Sequence, residues 1–281
     1  MILDGKLVAN EIGNTLKEEI LARPDVRPPY LVIISVGDDP TSKVYVKNKI
    51  KKAEELGIVA HCFPMMSDLV DTRYVRCIVA KFNNDPEVDG IMVQLPLPAH
   101  LNEREIIDTI DPEKDVDGLT TTNIGRLRSG QPCIKPCTAA GVMDLLDYYH
   151  IPVEGKNVTI IGRSNIVGKP LADLMMAAGA TVTQCHSKTE NIRLHTLDAD
   201  ILVSAVGKPK FINTDHTWVG QVIIDVGINR DENGKLCGDV DFDDVKHENP
   251  IITPVPGGIG PLTVIELMKN TVECWRKNNG A

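Results

Sequence analysis

The stretch NVTIIGRSNIVGKPLADLMMAAGATVTQCHS, residues 157–187, decides the fold. It reads as a β-branched strand, a turn bounded by Gly162 and Gly168, a helix of small and apolar residues, and a second strand. In that setting a glycine turn binds a dinucleotide, because a helix start presents free N–H groups to phosphate. The spacing of the two glycines departs from G-x-G-x-x-G, and an ordinary tight strand-to-helix turn accounts for it equally well.

Two further features bear on the choice. An NAD-binding unit places a carboxylate at the end of its second strand to hold the ribose 2'-hydroxyl. Here that strand runs into Cys185, His186 and Ser187. Arg163 sits within the turn, where a guanidinium suits a 2'-phosphate. The expected cofactor is therefore NADP. His186 reads as a packing or surface residue and not as a catalyst.

Outward from this stretch, short β-branched runs alternate with helical patterns. YLVIISV (30–36), GIVAHCF (57–63) and VDGIMVQL (88–95) predict strands in the first half, with helices near 41–56, 68–83 and 103–109. After residue 150 the strands are 157–162, 180–185, 200–206 and 221–227. Alternation of this kind predicts parallel sheets with right-handed crossovers. The fold class is α/β: two α/β domains flanking a cleft, the second a Rossmann-type NADP-binding domain. The segment DVDGLTTTNIGRLRSGQPCIKPCT (115–138) has no sustained period and reads as the connection. A final helix near 261–275 is free to pack back on the first domain. The boundaries drawn are 1–138 plus 262–281 for the catalytic domain and 139–261 for the nucleotide domain.

The chain has 281 residues, enough for two cores, and 42% of them are hydrophobic. A net charge of -9 argues against nucleic acid, which wants a basic surface. No apolar run is long enough to span a bilayer and the N-terminus lacks a signal pattern, so a cytoplasmic protein acting on small molecules is expected. The 7 cysteines include one close pair, Cys133 and Cys137, without a second pair at metal-ligand spacing. They read as reduced thiols.

SKVYVKNKIKKAEELGI (42–58) carries five lysines on one helix. Projected at about 100° per residue, Val46, Ile50, Ala53 and Leu56 share one face. Lys47 and Lys51 fall opposite, beside Glu54 and Glu55. Lys49 alone lies within the apolar arc, one turn after Tyr45. It is either a lysine that lays its stem on the core and sends the ammonium to water, or a half-buried amine suited to proton transfer.

Three polar residues fall near the carboxyl ends of the first strands, where α/β sheets bind ligands: Lys49, Gln94 and Asp117. Gln94 is flanked by Val93, Leu95, Pro96 and Leu97, as a lone polar handle in an apolar wall or as a structural amide. Asp117 precedes a glycine, so turn formation competes with binding. Asp111, Asp115 and Asp117 do not follow a calcium-loop pattern, and no metal is expected. ITPVPGGIGPLT (252–263) is a stiff loop before a helix, either a ligand-facing backbone or a rigid hinge. We place Pro256, Gly257, Gly258 and Thr263 against the substrate.

Taken together and in order, YVKNK, VQLPLP, PEKDVDGL, KPCTAAG, GRSNIVGKP and TPVPGGIGPLT resemble the bifunctional methylenetetrahydrofolate dehydrogenase/cyclohydrolase family. The likeness runs from LDGK at residue 3 to the last helix. It implies interconversion of 5,10-methylene-, 5,10-methenyl- and 10-formyl-tetrahydrofolate, NADP as hydride acceptor, and a homodimer. It further implies that Lys49 is the catalytic lysine with Gln94 beside it, that Tyr45 stacks along the folate, and that Asp117 grips the pterin. Gly162, Arg163 and Ser164 match its cofactor turn, Ser187 a residue at the 2'-phosphate, and Ile228 a position along the dinucleotide. Two other readings stay open: a monofunctional dehydrogenase with an inert Lys49, and a non-catalytic NADP-sensing module.

Overall fold

The computed structural model describes residues 1–248 and 250–280. In chain order the elements are α1 (Gly5–Leu21), β1 (Tyr30–Val36), α2 (Pro40–Leu56), β2 (Val59–Met65), α3 (Thr72–Asn83), β3 (Gly90–Val93), α4 (Glu103–Ile107), α5 (Thr121–Arg128) and α6 (Cys137–Tyr148). There follow β4 (Asn157–Ile161), α7 (Gly168–Ala177), β5 (Thr181–Cys185), α8 (Ile192–Leu197), β6 (Ile201–Ser204), β7 (Val222–Asp225), β8 (Asn229–Arg230), β9 (Leu236–Cys237), α9 (Phe242–Val245), β10 (Ile251–Ile252) and α10 (Ile259–Asn278). They group into two compact units, one of residues 11–137 with 264 onward, the other of 1–10 with 138–263.

The first unit is built on a parallel sheet ordered β2-β1-β3. β1 lies in the middle, and its continuous apolar run is what a parallel strand covered on both faces requires. Val32, Ile34, Ile91 and Val93 pack with Val75 and Val79 of α3 and Ile106 of α4. α2 starts where the Asp39 carboxylate accepts from Ser42 N, has Pro40 in its first turn, and stops at Gly57 with φ 86°. It buries Val46, Ala53 and Leu56. The later part of α10 belongs to this unit, where fully buried Trp275 donates through Nε1 to Arg27 O at 2.7 Å.

The segment 115–138 holds a helix that its lack of period concealed. α5 buries only Asn123 and has no apolar face to betray it. Its caps hold it: Thr120 Oγ1 accepts from Asn123 N at 3.2 Å, and Asp115 accepts from Thr120 N at 2.8 Å. α1 and α6 also lie outside the helices expected from pattern.

The second unit carries a parallel sheet ordered β10-β7-β6-β4-β5. Ile161, Leu202, Ile223, Val240 and Ile252 form a core cluster there. The strand order reverses at β4, the point at which open α/β sheets bind ligands. The sequence boundaries put residues 1–10 with the first unit, but they cluster with this one. Main-chain hydrogen bonds explain the difference, since Leu3 N donates to Ile252 O at 2.8 Å and Ile252 N to Met1 O at 2.9 Å. Among the described residues no helix is long and apolar enough to cross a membrane.

Candidate functional site

In the first unit the site starts from the helix that follows β1. Lys49, on the third turn of α2, is half-buried, and its Nζ donates to Gln94 Oε1 at 3.1 Å and lies 3.4 Å from Met92 Sδ. Gln94 follows β3 directly and is 7% exposed. Its backbone N donates to Ile34 O at 2.8 Å, and its side-chain NH2 to Leu95 O at 2.6 Å. An ammonium can only donate, so that second bond fixes the amide with its oxygen toward the lysine. Lys49 therefore has a held head group, unlike Lys51, which is exposed and 3.9 Å from Glu55. Tyr45, a turn earlier, is 37% exposed.

Asp117 sits in a loop pinned on both sides. Asp115 is consumed by structure, accepting from Leu119 N, Thr120 N and Asn123 Nδ2 at 3.2, 2.8 and 3.0 Å. Gly118 has φ 70°, and a Cβ there would lie 2.6 Å from the Lys135 carbonyl carbon. Val116 O accepts from Asn270 Nδ2 at 2.9 Å and from Cys137 Sγ at 3.3 Å. Burial pushes the Asp117 carboxyl above the ordinary carboxylate range; the Lys49 charge opposes that shift, Asp115 adds to it, and a hydrogen bond with Cys137 lowers it. Burial, with the carboxylates of Asp117 and Glu266, pushes the Cys137 thiol well above its usual value, so it stays a neutral donor. Lys49 and Gln94 thus meet directly, and Asp117 is linked to them through the Lys49 charge. Met92 and Cys137 join them, although only KPCTAAG hinted at the cysteine.

Pro256, Gly257, Gly258 and Thr263 belong to the second unit. Gly257 has φ 110°, and its carbonyl accepts from Lys6 N at 3.0 Å. A Cβ on Gly258 would come within 2.6 Å of Pro254 O. Thr263 Oγ1 lies 3.1 Å from Thr138 Oγ1 and 3.3 Å from Ile259 O, so its hydroxyl serves its own helix and the start of α6.

At the carboxyl end of β4, Gly162 has φ 133°, and a Cβ there would lie 2.4 Å from Ala205 O. A Cβ on Gly168 would lie 2.3 Å from Gly162 O. The unusual spacing therefore has a cause: both glycines permit main chain to touch main chain. Ser164 Oγ accepts from Val167 N and Gly168 N at 3.2 and 3.3 Å and closes the turn. Arg163 is exposed and makes none of the hydrogen bonds or ion pairs found among the described residues.

β4 and β5 pair in parallel with Ile161 opposite Cys185, so the turns that leave them emerge side by side. Gly162 N donates to Cys185 O at 2.9 Å, and Gln184 Nε2 donates to Gly162 O at 3.0 Å. Ser187 and Lys188 are exposed on the β5 turn, and no carboxylate stands between 185 and 188. Lys188 is a second cation that attention to Arg163 alone passed over. His186 is spent on the turn, its backbone N donating to Thr189 Oγ1 at 2.9 Å and its ring Nδ1 accepting from Lys188 N at 3.2 Å. Ile228, 48% exposed, lies beyond β7 on the same sheet edge. An open glycine turn at the strand-order reversal, two exposed cations and no acid at the second strand's end fit a phosphorylated dinucleotide.

Comparison with known proteins also divides the chain in two, although it gives residues 3–10 to the catalytic domain and the last helix to the nucleotide domain. Residues 3–117 match the description "Tetrahydrofolate dehydrogenase/cyclohydrolase, catalytic domain", and residues 136–279 match its NAD(P)-binding domain. The chain is 50% identical over 271 residues to the bifunctional protein FolD of Methanoculleus marisnigri, covering 96% of this chain and 95% of that one. The crystal structure of FolD from Campylobacter jejuni, a methylenetetrahydrofolate dehydrogenase/cyclohydrolase, superposes with a TM-score of 0.95 at 42% identity, covering 99% of each chain. The Trypanosoma brucei FolD, solved with NADP cofactor and inhibitor, gives a TM-score of 0.93 at 36% identity over 100% of this chain and 99% of that one. Both halves match at full length, and the chain belongs to the tetrahydrofolate dehydrogenase/cyclohydrolase family.

Proposed function

We propose that this protein oxidises 5,10-methylenetetrahydrofolate with NADP and hydrolyses the resulting 5,10-methenyltetrahydrofolate to 10-formyltetrahydrofolate. The observation that carries the reading is the Lys49 amine fixed on Gln94 Oε1 at 3.1 Å, with Asp117 close enough for the lysine charge to act on it.

Asp117, as carboxylate, accepts from the 2-amino and ring N–H donors of the pterin. Tyr45 offers its ring to the folate ring system. NADP supplies the hydride acceptor when bound, on Gly162, Arg163, Ser164, Ser187 and Ile228. The methenyl carbon is then electrophilic, because its positive charge is shared by two nitrogens. Water adds to that carbon, Lys49 in its neutral or proton-sharing form accepts its proton and returns one to the ring nitrogen as the bridge opens, and one proton is released overall. Gln94 keeps the amine oriented and needs no change of its own charge. Pro256, Gly257, Gly258 and Thr263 are assigned to the substrate-binding surface, residues 139–261 to the nucleotide domain on the alternating pattern, a cytoplasmic location on composition, and a homodimer by resemblance.

An absorbance assay with methylenetetrahydrofolate tests the reading, comparing NADP with NAD and following methenyltetrahydrofolate hydrolysis separately. Both activities are expected, with NADP preferred. Hydride transfer without hydrolysis would reduce the protein to a dehydrogenase. Nucleotide binding without turnover would overturn the reading.

A further inference from the structure

We infer that Asp239 is a positioning residue for the nucleotide half of the reaction, resting on the function proposed above. It lies between β9 and α9 with no exposed surface. Its Oδ2 accepts from Val206 N at 2.7 Å, from Gly207 N at 3.2 Å and from Ser204 Oγ at 3.2 Å. Its Oδ1 accepts from Lys208 N at 2.9 Å and from Asn229 Nδ2 at 2.8 Å. Three successive main-chain N–H groups, 206 to 208, thus converge on one carboxylate. Such a nest ordinarily binds an anionic ligand, and here the chain supplies the anion itself.

The position of this nest gives it a function. The loop it fixes leaves β6, and Asn229 is the residue after Ile228 beyond β7. Both lie at the carboxyl edge of the parallel sheet, one and two strands from the β4 turn in the order β10-β7-β6-β4-β5. Ala205, the residue before the nest, is the one whose carbonyl excludes a Cβ at Gly162. Asp239 therefore sets the height of the loop against which the dinucleotide turn is built, and through Asn229 it sets the exit of Ile228.

A second buried carboxylate holds Asp239 in turn. Asp225, 3% exposed, accepts from Asp239 N and Gly227 N on Oδ1 and from Val240 N on Oδ2, each at 2.9 Å. Glycine is required beside both acids: a Cβ on Gly227 would lie 2.3 Å from Asp239 Oδ1, and one on Gly238 would lie 1.8 Å from Asp225 Oδ2. The two carboxylates and two glycines form one device. It ties three loops of the sheet edge and leaves Ile228 exposed.

The bifunctional reaction separates positioning from mere support of the fold, because hydrolysis of methenyltetrahydrofolate consumes no nucleotide. Asp239→Asn keeps the shape but turns an NH2 toward N–H donors. Its NADP affinity, read by NADPH fluorescence titration, should fall by about tenfold or more, the scale of buried donors left unpaired. The KM for NADP should rise accordingly, with cyclohydrolase turnover and the KM for folate close to wild type. Asn229→Ala removes one of the five bonds, and its NADP affinity should fall in the same direction by less; this variant decides the question if Asp239→Asn does not fold. Wild-type NADP affinity in either folded variant, or a parallel loss of both activities, would overturn the inference. A wild-type protein that neither binds NADP nor oxidises folate would instead remove the functional reading beneath it.

Discussion

The two sheets end in sites made of different material. Beyond β1 and β3 the proposed working groups are side chains, Lys49, Gln94 and Asp117, drawn from three separated segments and held by a few hydrogen bonds or by burial. Beyond β4 the proposed binding surface is main chain, shaped by two glycines that permit contact between backbones, with Arg163 and Lys188 added as exposed charges. A side-chain site concentrates its chemistry in a few atoms, so losing one should be severe and specific. A backbone site spreads its binding, so losing one side chain should weaken a ligand without abolishing it.

The severest test of that contrast is Asp117→Ala. The pterin edge then lacks its paired acceptor, and an unsatisfied buried donor costs about 1 to 3 kcal/mol. With two donors abandoned, folate binding and both activities should be lost, as steady-state assays on each substrate would reveal. Near-normal Michaelis constants for folate would break the contrast at its strongest point.

Lys49→Met comes next, since it keeps the packing of the stem and removes the amine. Cyclohydrolase activity should fall by at least about a hundredfold, the scale of a lost general acid–base group. Lys47→Met and Lys51→Met serve as controls from the solvated face of α2. If all three variants hydrolyse methenyltetrahydrofolate at one rate, the bond to Gln94 is structural and Lys49 is a snorkelling lysine.

On the backbone side the expected effect is smaller. Arg163→Ala should weaken NADP by about tenfold, the scale of a charge-assisted hydrogen bond, and leave NAD nearly unchanged. The exposed neighbour Lys188 limits the loss, and the double variant should lose more than either alone. An equal loss for both nucleotides would mean that Arg163 supports the turn and does not read the phosphate.

The same difference in material decides what could be read before the fold was known. The glycine turn is spelled in consecutive residues, and the strand that ends without an acid lies within the same stretch. Lys49 stood out because a helix projection requires only local geometry, but the projection left a snorkelling lysine open and the family's motif order decided it. Asp117 was ambiguous with a turn, and it took the family's motif order to single it out. Cys137 and Met92 were passed over because their relation to Asp117 and Lys49 exists only after β3 and α6 are placed. Asp239 was invisible for the same reason: its partners at 204–208 and 229 are brought to it by strand order. α5 escaped because its caps, not a periodic apolar face, hold it.

The finest test concerns charge within the side-chain site. Burial raises the Asp117 carboxyl above the ordinary carboxylate range, and the Lys49 charge opposes that rise. The folded protein therefore keeps this proton at pH values where the unfolded chain has released it, so this group's contribution to stability declines as pH rises from the ordinary carboxylate range through the raised value. Pterin binding has the opposite dependence, because it requires the carboxylate: folate affinity should weaken as pH falls through the raised value. Lys49→Met removes the opposing charge, so its acid limb for folate binding should move to higher pH than in the wild type. Equilibrium titration of folate across mildly acidic pH, with binding and not turnover as the readout, measures the displacement without needing the lost chemistry. A limb that stays fixed in Lys49→Met would mean that the two groups do not sense each other, and that the side-chain site is two independent contacts sharing one wall.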